Sequence, residues 1–125
     1  MLSYLMFEAH ESTEGVHSFE AMASVPEARW PALQAELAEV LGWCHAWGGA
    51  RGAPAPVALE EGGEWDFDLQ VTREWSEPLD LQFQPDGAEW QVRPLGGAHA
   101  RCVATLVLSG HEAFAADFSE RYLGE

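Results

Sequence analysis

Six acidic side chains stand where a strand-rich chain would align them. Glu64, Asp66 and Asp68 alternate with Trp65, Phe67 and Leu69, and Asp80 sits between Leu79 and Leu81. Glu8 and Glu20 occupy matching places in two runs on either side of Thr13-Glu14-Gly15. Same-face neighbours along a strand lie roughly 6.5 Å apart. Two exposed carboxylates at that distance repel by only about 0.6 kcal/mol in water, and by less in salt. Such a row stands without a ligand as a solvated sheet face. It also makes a docking surface for a cationic partner, so these six residues are the candidate partner-binding set. Calcium usually takes its oxygen ligands from a tight loop rather than a flat face. A metal held by Glu8, Glu20 and His10 would have three donors but no recognisable ligand spacing. The sequence therefore assigns no metal and no cofactor.

No catalytic set emerges. The histidines (His10, His17, His45, His99, His111) are scattered, without an HExxH or Cys/His pattern. All six basic residues are arginine, and there is no lysine. That removes Schiff-base chemistry and the phosphate-cradling lysine of a P-loop. A triad assembles in space, so its absence from the spacing is weak evidence, and catalytic residues stay unassigned. A second group of candidates is apolar. Tyr4, Met6 and Met22 interrupt an otherwise polar hairpin face and suggest a contact with a second copy. Trp43, Trp47 and Trp75 fall off the core stripes, and tryptophan near a surface is enriched at interfaces. Trp30, Trp65 and Trp90 fit the core.

The chain has 125 residues, enough for one domain with a substantial core. An apolar fraction of 47% excludes a wholly disordered chain. A net charge of -15 argues against binding nucleic acid or an anionic membrane and favours a basic protein as partner. The start of the sequence lacks a basic leader, and no apolar run is long enough to span a membrane. Cys44 and Cys102 read as small buried hydrophobes in a reducing compartment, which points to the cytoplasm. The lysine-free composition, rich in Ala, Gly, Arg and Trp, suggests a GC-rich bacterial genome.

These side chains need elements to position them. Glu64 to Thr72 alternates strictly and reads as a strand with one dry face and one wet face. Leu5, Phe7 and Ala9 would face Ala23, Ala21 and Phe19 across a hairpin closed at Gly15. Trp30, Leu33, Leu37, Leu41 and Cys44, flanked by Val40 and Trp47, predict a helix over about 29–46, ended by Gly48-Gly49. A Gly/Pro-rich loop follows at about 48–63. A loop of that length in a compact domain is either mobile or functional. Asp86-Gly87 predicts a two-residue hairpin turn that sets Phe83 opposite Trp90. Arg101 to Ser109 is apolar on both faces, as an interior strand is. Ser109 and Glu112 predict a capping box before a last helix striped by Phe114, Phe118 and Tyr122. The expected fold is α+β: a mostly antiparallel sheet of about six strands with two helices on one face, in the order β-β-α-β-β-β-β-α.

The function expected on these grounds is non-enzymatic protein binding through the acidic sheet face, in the manner of an inhibitor or chaperone. Two alternatives remain at this level. One is an enzyme or small-ligand binder with a site under the 48–63 loop, near Trp43, Trp47, His45 and Arg51. The other is a mimic of nucleic-acid charge, which needs carboxylates in two rows on one surface.

Overall fold

Two runs of different pattern pair at the centre of the structure, a computed structural model that describes residues 2–52 and 55–124. In chain order the elements are β1 (Glu8–Glu11), β2 (His17–Pro26), α1 (Trp30–Ala50), β3 (Trp65–Ser76), β4 (Leu79–Gln84), β5 (Glu89–Pro94), β6 (His99–Gly110) and α2 (Glu112–Phe118). The class is α+β, the pairing is antiparallel throughout, and the order is the expected one. The strands divide into two sheets rather than one: β1-β2-β6-β3, and the β4–β5 hairpin by itself. The division arises at one joint. Ser76 pairs with His99, but the next ladder opens with Leu79 against Pro94. Gly96 and Gly97, at φ 79° and 77°, absorb the unequal lengths in a backbone region that glycine enters freely.

β6 is paired along both edges, which accounts for its doubly apolar sequence. The aspartate-bearing β3 lies at a sheet edge. Phe19, Ala21, Ala23 and Val25 of β2 and Cys102, Ala104, Leu106 and Leu108 of β6 turn to one face. Leu33, Leu37, Val40 and Cys44 of α1 and Phe114 and Phe118 of α2 cover them in one core. Both helices thus lie on the same side. Each fully buried side chain of this size contributes about 1.5–3 kcal/mol. Trp65 closes the core, stacked on Phe67 and Phe114, with the His45 ring edge-on at 5.2 Å.

Local expectations fail where tertiary contacts outweigh local signals. α1 continues through Gly48-Gly49 to Ala50. Its stop is Gly52, at φ 80°, one residue past the cap. The last turn is tied down because the Arg51 guanidinium lies 4.8 Å from the Trp47 ring centre and 3.0 Å from Glu64. Of the expected 48–63 loop, only the part beyond Ala50 is loop. Leu59–Glu61 forms a 3-10 turn, and Ala53 and Pro54 lie outside the described residues. β1 is shorter than its pattern suggests. The N–H groups of Ser3, Tyr4 and Leu5 donate to the Glu36 carboxylate of α1, at 2.9, 2.9 and 2.8 Å. The ladder therefore begins at Glu8↔Glu20 and keeps Ala9↔Phe19, while Phe7 and Leu5 fall outside it.

The capping box does not form. Ser109 stays in β6, and His111 caps α2 without a side-chain hydrogen bond. The second hairpin turns over four residues, Pro85 to Ala88, and its positive φ (50°) falls on Ala88 instead of Gly87. Phe83 does pair with Trp90, their rings 5.2 Å apart. Trp90 is not a core residue: it is 62% exposed. Nothing in its local sequence distinguishes it from Trp65, which is 0% exposed.

Candidate acidic docking face

The helices leave the other face of the four-stranded sheet bare. Register places side chains on it in rows. Glu8, Glu20, Val107 and Asp68 cross the sheet in one row, and His10, Ser18, Ser109 and Asp66 in the next. Val103, Thr105 and Val107 of β6 run down the middle, half-buried, with Met22 exposed beside Thr105. Glu8 and Glu20 lie on one side of this strip and Asp66 and Asp68 on the other. Adjacent strands are about 4.8 Å apart, so Glu20 and Asp68 stand roughly 10 Å apart at the backbone.

Charge compensation is uneven. Arg51 takes Glu64 at 3.0 Å, Arg93 takes Asp80 at 3.1 Å, and Arg73 takes Glu27 at 3.3 Å. Arg101 donates to the Ser24 hydroxyl and carbonyl, at 3.1 and 3.0 Å. Arg121 lies 5.2 Å from the Tyr122 ring centre. Among the described residues, no arginine pairs with Glu8, Glu20, Asp66 or Asp68. Glu8 and Glu20 face each other directly across the ladder, an unfavourable arrangement for like charges. Asp66 accepts only a local bond, from the Phe67 N–H at 2.9 Å, and Asp68 one from Gln70 at 3.4 Å.

A depression of about 260 Å³ opens beside the aspartates, lined by Val16, Leu59, Glu60, Asp66, Phe67, Asp68, Val107 and Ser109. The loop after α1 builds its rim. The Val57 N–H donates to the Trp65 carbonyl at 3.2 Å, and the Gly63 N–H to the Ala58 carbonyl at 3.1 Å. Gly63 must be glycine, since a Cβ there would fall 1.8 Å from the Val57 carbonyl oxygen. This bend carries Leu59 and Glu60 to the open face. The result is an apolar floor with three carboxylates around it, a shape that suits the stem and head of a long cationic side chain.

Of the six carboxylates singled out from sequence, four therefore share the open face. Glu64 and Asp80 are neutralised elsewhere, the latter on the hairpin. Glu60 joins the four from outside that set; its signal in the sequence is the pair of glutamates before Gly62-Gly63, next to the acidic strand. Among the apolar candidates, Met6 and Met22 are exposed, but the ladder does not extend far enough to pair them. Tyr4 is half-buried at the N-terminal strap. Trp43 packs within 6.2 Å of the rings of Phe114, Phe118 and Tyr122. Trp47 donates its indole N–H to Asp117 at 2.7 Å. Trp75 is 69% exposed, near the hairpin.

The cleft at Trp43 and Trp47 is bounded by Asp117, Glu120 and Arg121, and neither His45 nor Arg51 lines it. No group of three or more His, Cys, Asp or Glu among the described residues could hold a metal ion. No described helix is long and apolar enough to cross a membrane. Burial pushes the Cys44 thiol up to about 12, so at neutral pH it is not a thiolate nucleophile. The chain matches no family model, no curated protein and no solved structure.

Proposed function

We propose that this chain is a protein-binding module that acts by contact rather than chemistry and presents its open sheet face to a basic partner. The observation that carries this reading is the set of unpaired carboxylates. Three of the six arginines are spent on other acids and none, among the described residues, pairs with Glu8, Glu20, Asp66 or Asp68, which stand around a half-buried apolar strip. A partner's arginine or lysine in the 260 Å³ depression would lay its methylenes on Val107 and Leu59 and its charge among Glu60, Asp66 and Asp68. A second basic side chain of the partner, across the strip, would relieve the Glu8–Glu20 repulsion. Such a face steers association more than it adds affinity.

The test compares two variants of equal charge, with an arginine-rich peptide as probe. Glu20→Gln/Asp68→Asn should weaken binding about 10-fold at low salt, through loss of two partly desolvated pairs. Glu39→Gln/Glu120→Gln, which removes the same charge elsewhere, should leave binding within about 2-fold. Equal losses would reduce the face to bulk charge and end the proposal.

The two carboxylate columns flanking β6 also favour a second reading, the mimicry of a nucleic-acid backbone. Its mark is competition: the chain would displace duplex DNA from a DNA-binding protein, and the first variant would not.

A further inference from the structure

The β4–β5 hairpin is amphipathic, and no described residue outside it covers its apolar side. Register puts Leu79, Leu81 and Phe83 directly against Pro94, Val92 and Trp90, all on one face. The opposite face holds Asp80 with Arg93, Gln82 with Gln91, and Gln84 with Glu89. The five apolar side chains other than Pro94 are 51–62% exposed. Trp75 at 69% and Leu95 at 65% extend exposed apolar surface to the base of the hairpin. An isolated two-stranded hairpin is at best marginally stable in water, so a face of this kind needs cover.

We propose that two copies of this chain associate by packing the apolar faces of their β4–β5 hairpins together. Area is the first argument. With Trp75 and Leu95 at its base included, the exposed surface of these residues comes to about 800 Å², against roughly 300–600 Å² for the largest patch of an ordinary monomer. A standard interface needs about 800 Å² from each partner. Charge is the second. The face itself carries no ionisable side chain, so it offers no charge by which to select a foreign partner. Asp80, on the outer face, is already neutralised by Arg93 at 3.1 Å. Face-to-face contact therefore brings no unpaired carboxylate into the interface, whereas the acidic sheet face would repel its own copy. Geometry is the third. Two two-stranded sheets stacked about 10 Å apart make a four-stranded sandwich, and the contact is isologous and self-limiting. The carboxylate face takes no part in this contact, so dimerisation and basic-partner binding succeed or fail separately.

Light scattering on the eluting full chain, loaded on the order of 1 to 300 µM, reads the outcome. The expected mass is twice the 13.7 kDa of the chain at the upper end. A mass of 13.7 kDa throughout overturns the proposal and leaves the face to a different protein. Leu81→Glu/Trp90→Glu should raise the dissociation constant at least ~100-fold by burying like charges at the centre. Gln82→Glu, on the outer face, should change it by less than ~3-fold. A dimer that persists in a folded Leu81→Glu/Trp90→Glu chain also overturns it. Should that variant fail to fold, Leu81→Cys takes its place. A short bismaleimide should link two Leu81→Cys chains and spare Gln82→Cys, because the native thiols are buried. Failure to link Leu81→Cys would sink the arrangement.

Discussion

Trp65 and Trp90 sit in strands of the same alternating pattern and meet opposite fates. The first is enclosed by α1, α2 and the His45 ring; the second stands on a two-stranded ribbon with solvent over it. The difference lies in what the chain supplies next. The strand of Trp65, β3, pairs with β6, which is followed at once by a helix that folds back onto the sheet, while the strand of Trp90, β5, pairs only with β4. Alternation specifies which side of a strand is apolar. It does not specify whether the chain itself provides the cover.

That contrast can be broken by substitution. Trp65→Ala should destabilise the fold by about 3–5 kcal/mol, as large core deletions do. Trp90→Ala in dilute solution should cost less than about 1 kcal/mol, since the ring is already wet. Denaturant midpoints measure both, and comparable losses would show that the hairpin is structurally coupled to the body. Gly110→Ala tests the covered side by overfilling it. A Cβ there would fall 2.4 Å from the Phe114 ring and 2.7 Å from its Cβ, so a loss of about 1–3 kcal/mol is expected.

Cys44 sharpens the same side through pH. Burial raises its thiol from 9.0 to about 12 in the fold, so between those values the unfolded chain sheds a proton that the folded chain keeps. Stability from this source is complete below pH 9 and drains away as pH rises toward 12. Wild type should therefore lose stability faster than Cys44→Ala over that range, and parallel curves would contradict the burial. The smallest effect belongs to the ribbon. Ala88→Gly relieves a left-handed φ of 50° and should stabilise the hairpin by about 0.5–1 kcal/mol, seen as slower amide exchange at its tip.

Sequence made the first hairpin legible because two signals agreed: Gly15 supplies the positive φ, and the apolar pattern selects Ala9↔Phe19. It also placed Asp66 and Asp68 on the face away from the helices, since parity alone decides that. It could not show that Arg51 and Arg93 would claim Glu64 and Asp80, because ion pairs across separate elements depend on the assembled fold. The end of α1 lies beyond its local stop signal for a related reason. Gly48-Gly49 is a strong local stop, but Arg51 bound to Trp47 and Glu64 outweighs it. Glu60 reaches the acidic face only through the bend at Gly63, which no periodicity encodes.

The glycine joint at Gly96-Gly97 has an engineering consequence. Because the Ser76↔His99 pair already closes the four-stranded body, residues 77–98 amount to a cassette plugged into a finished scaffold. Splicing Ser76 to His99 through an Asn-Gly turn would yield a shorter chain with its acidic face intact. Other hairpins could be exchanged at the same socket without redesigning the interior.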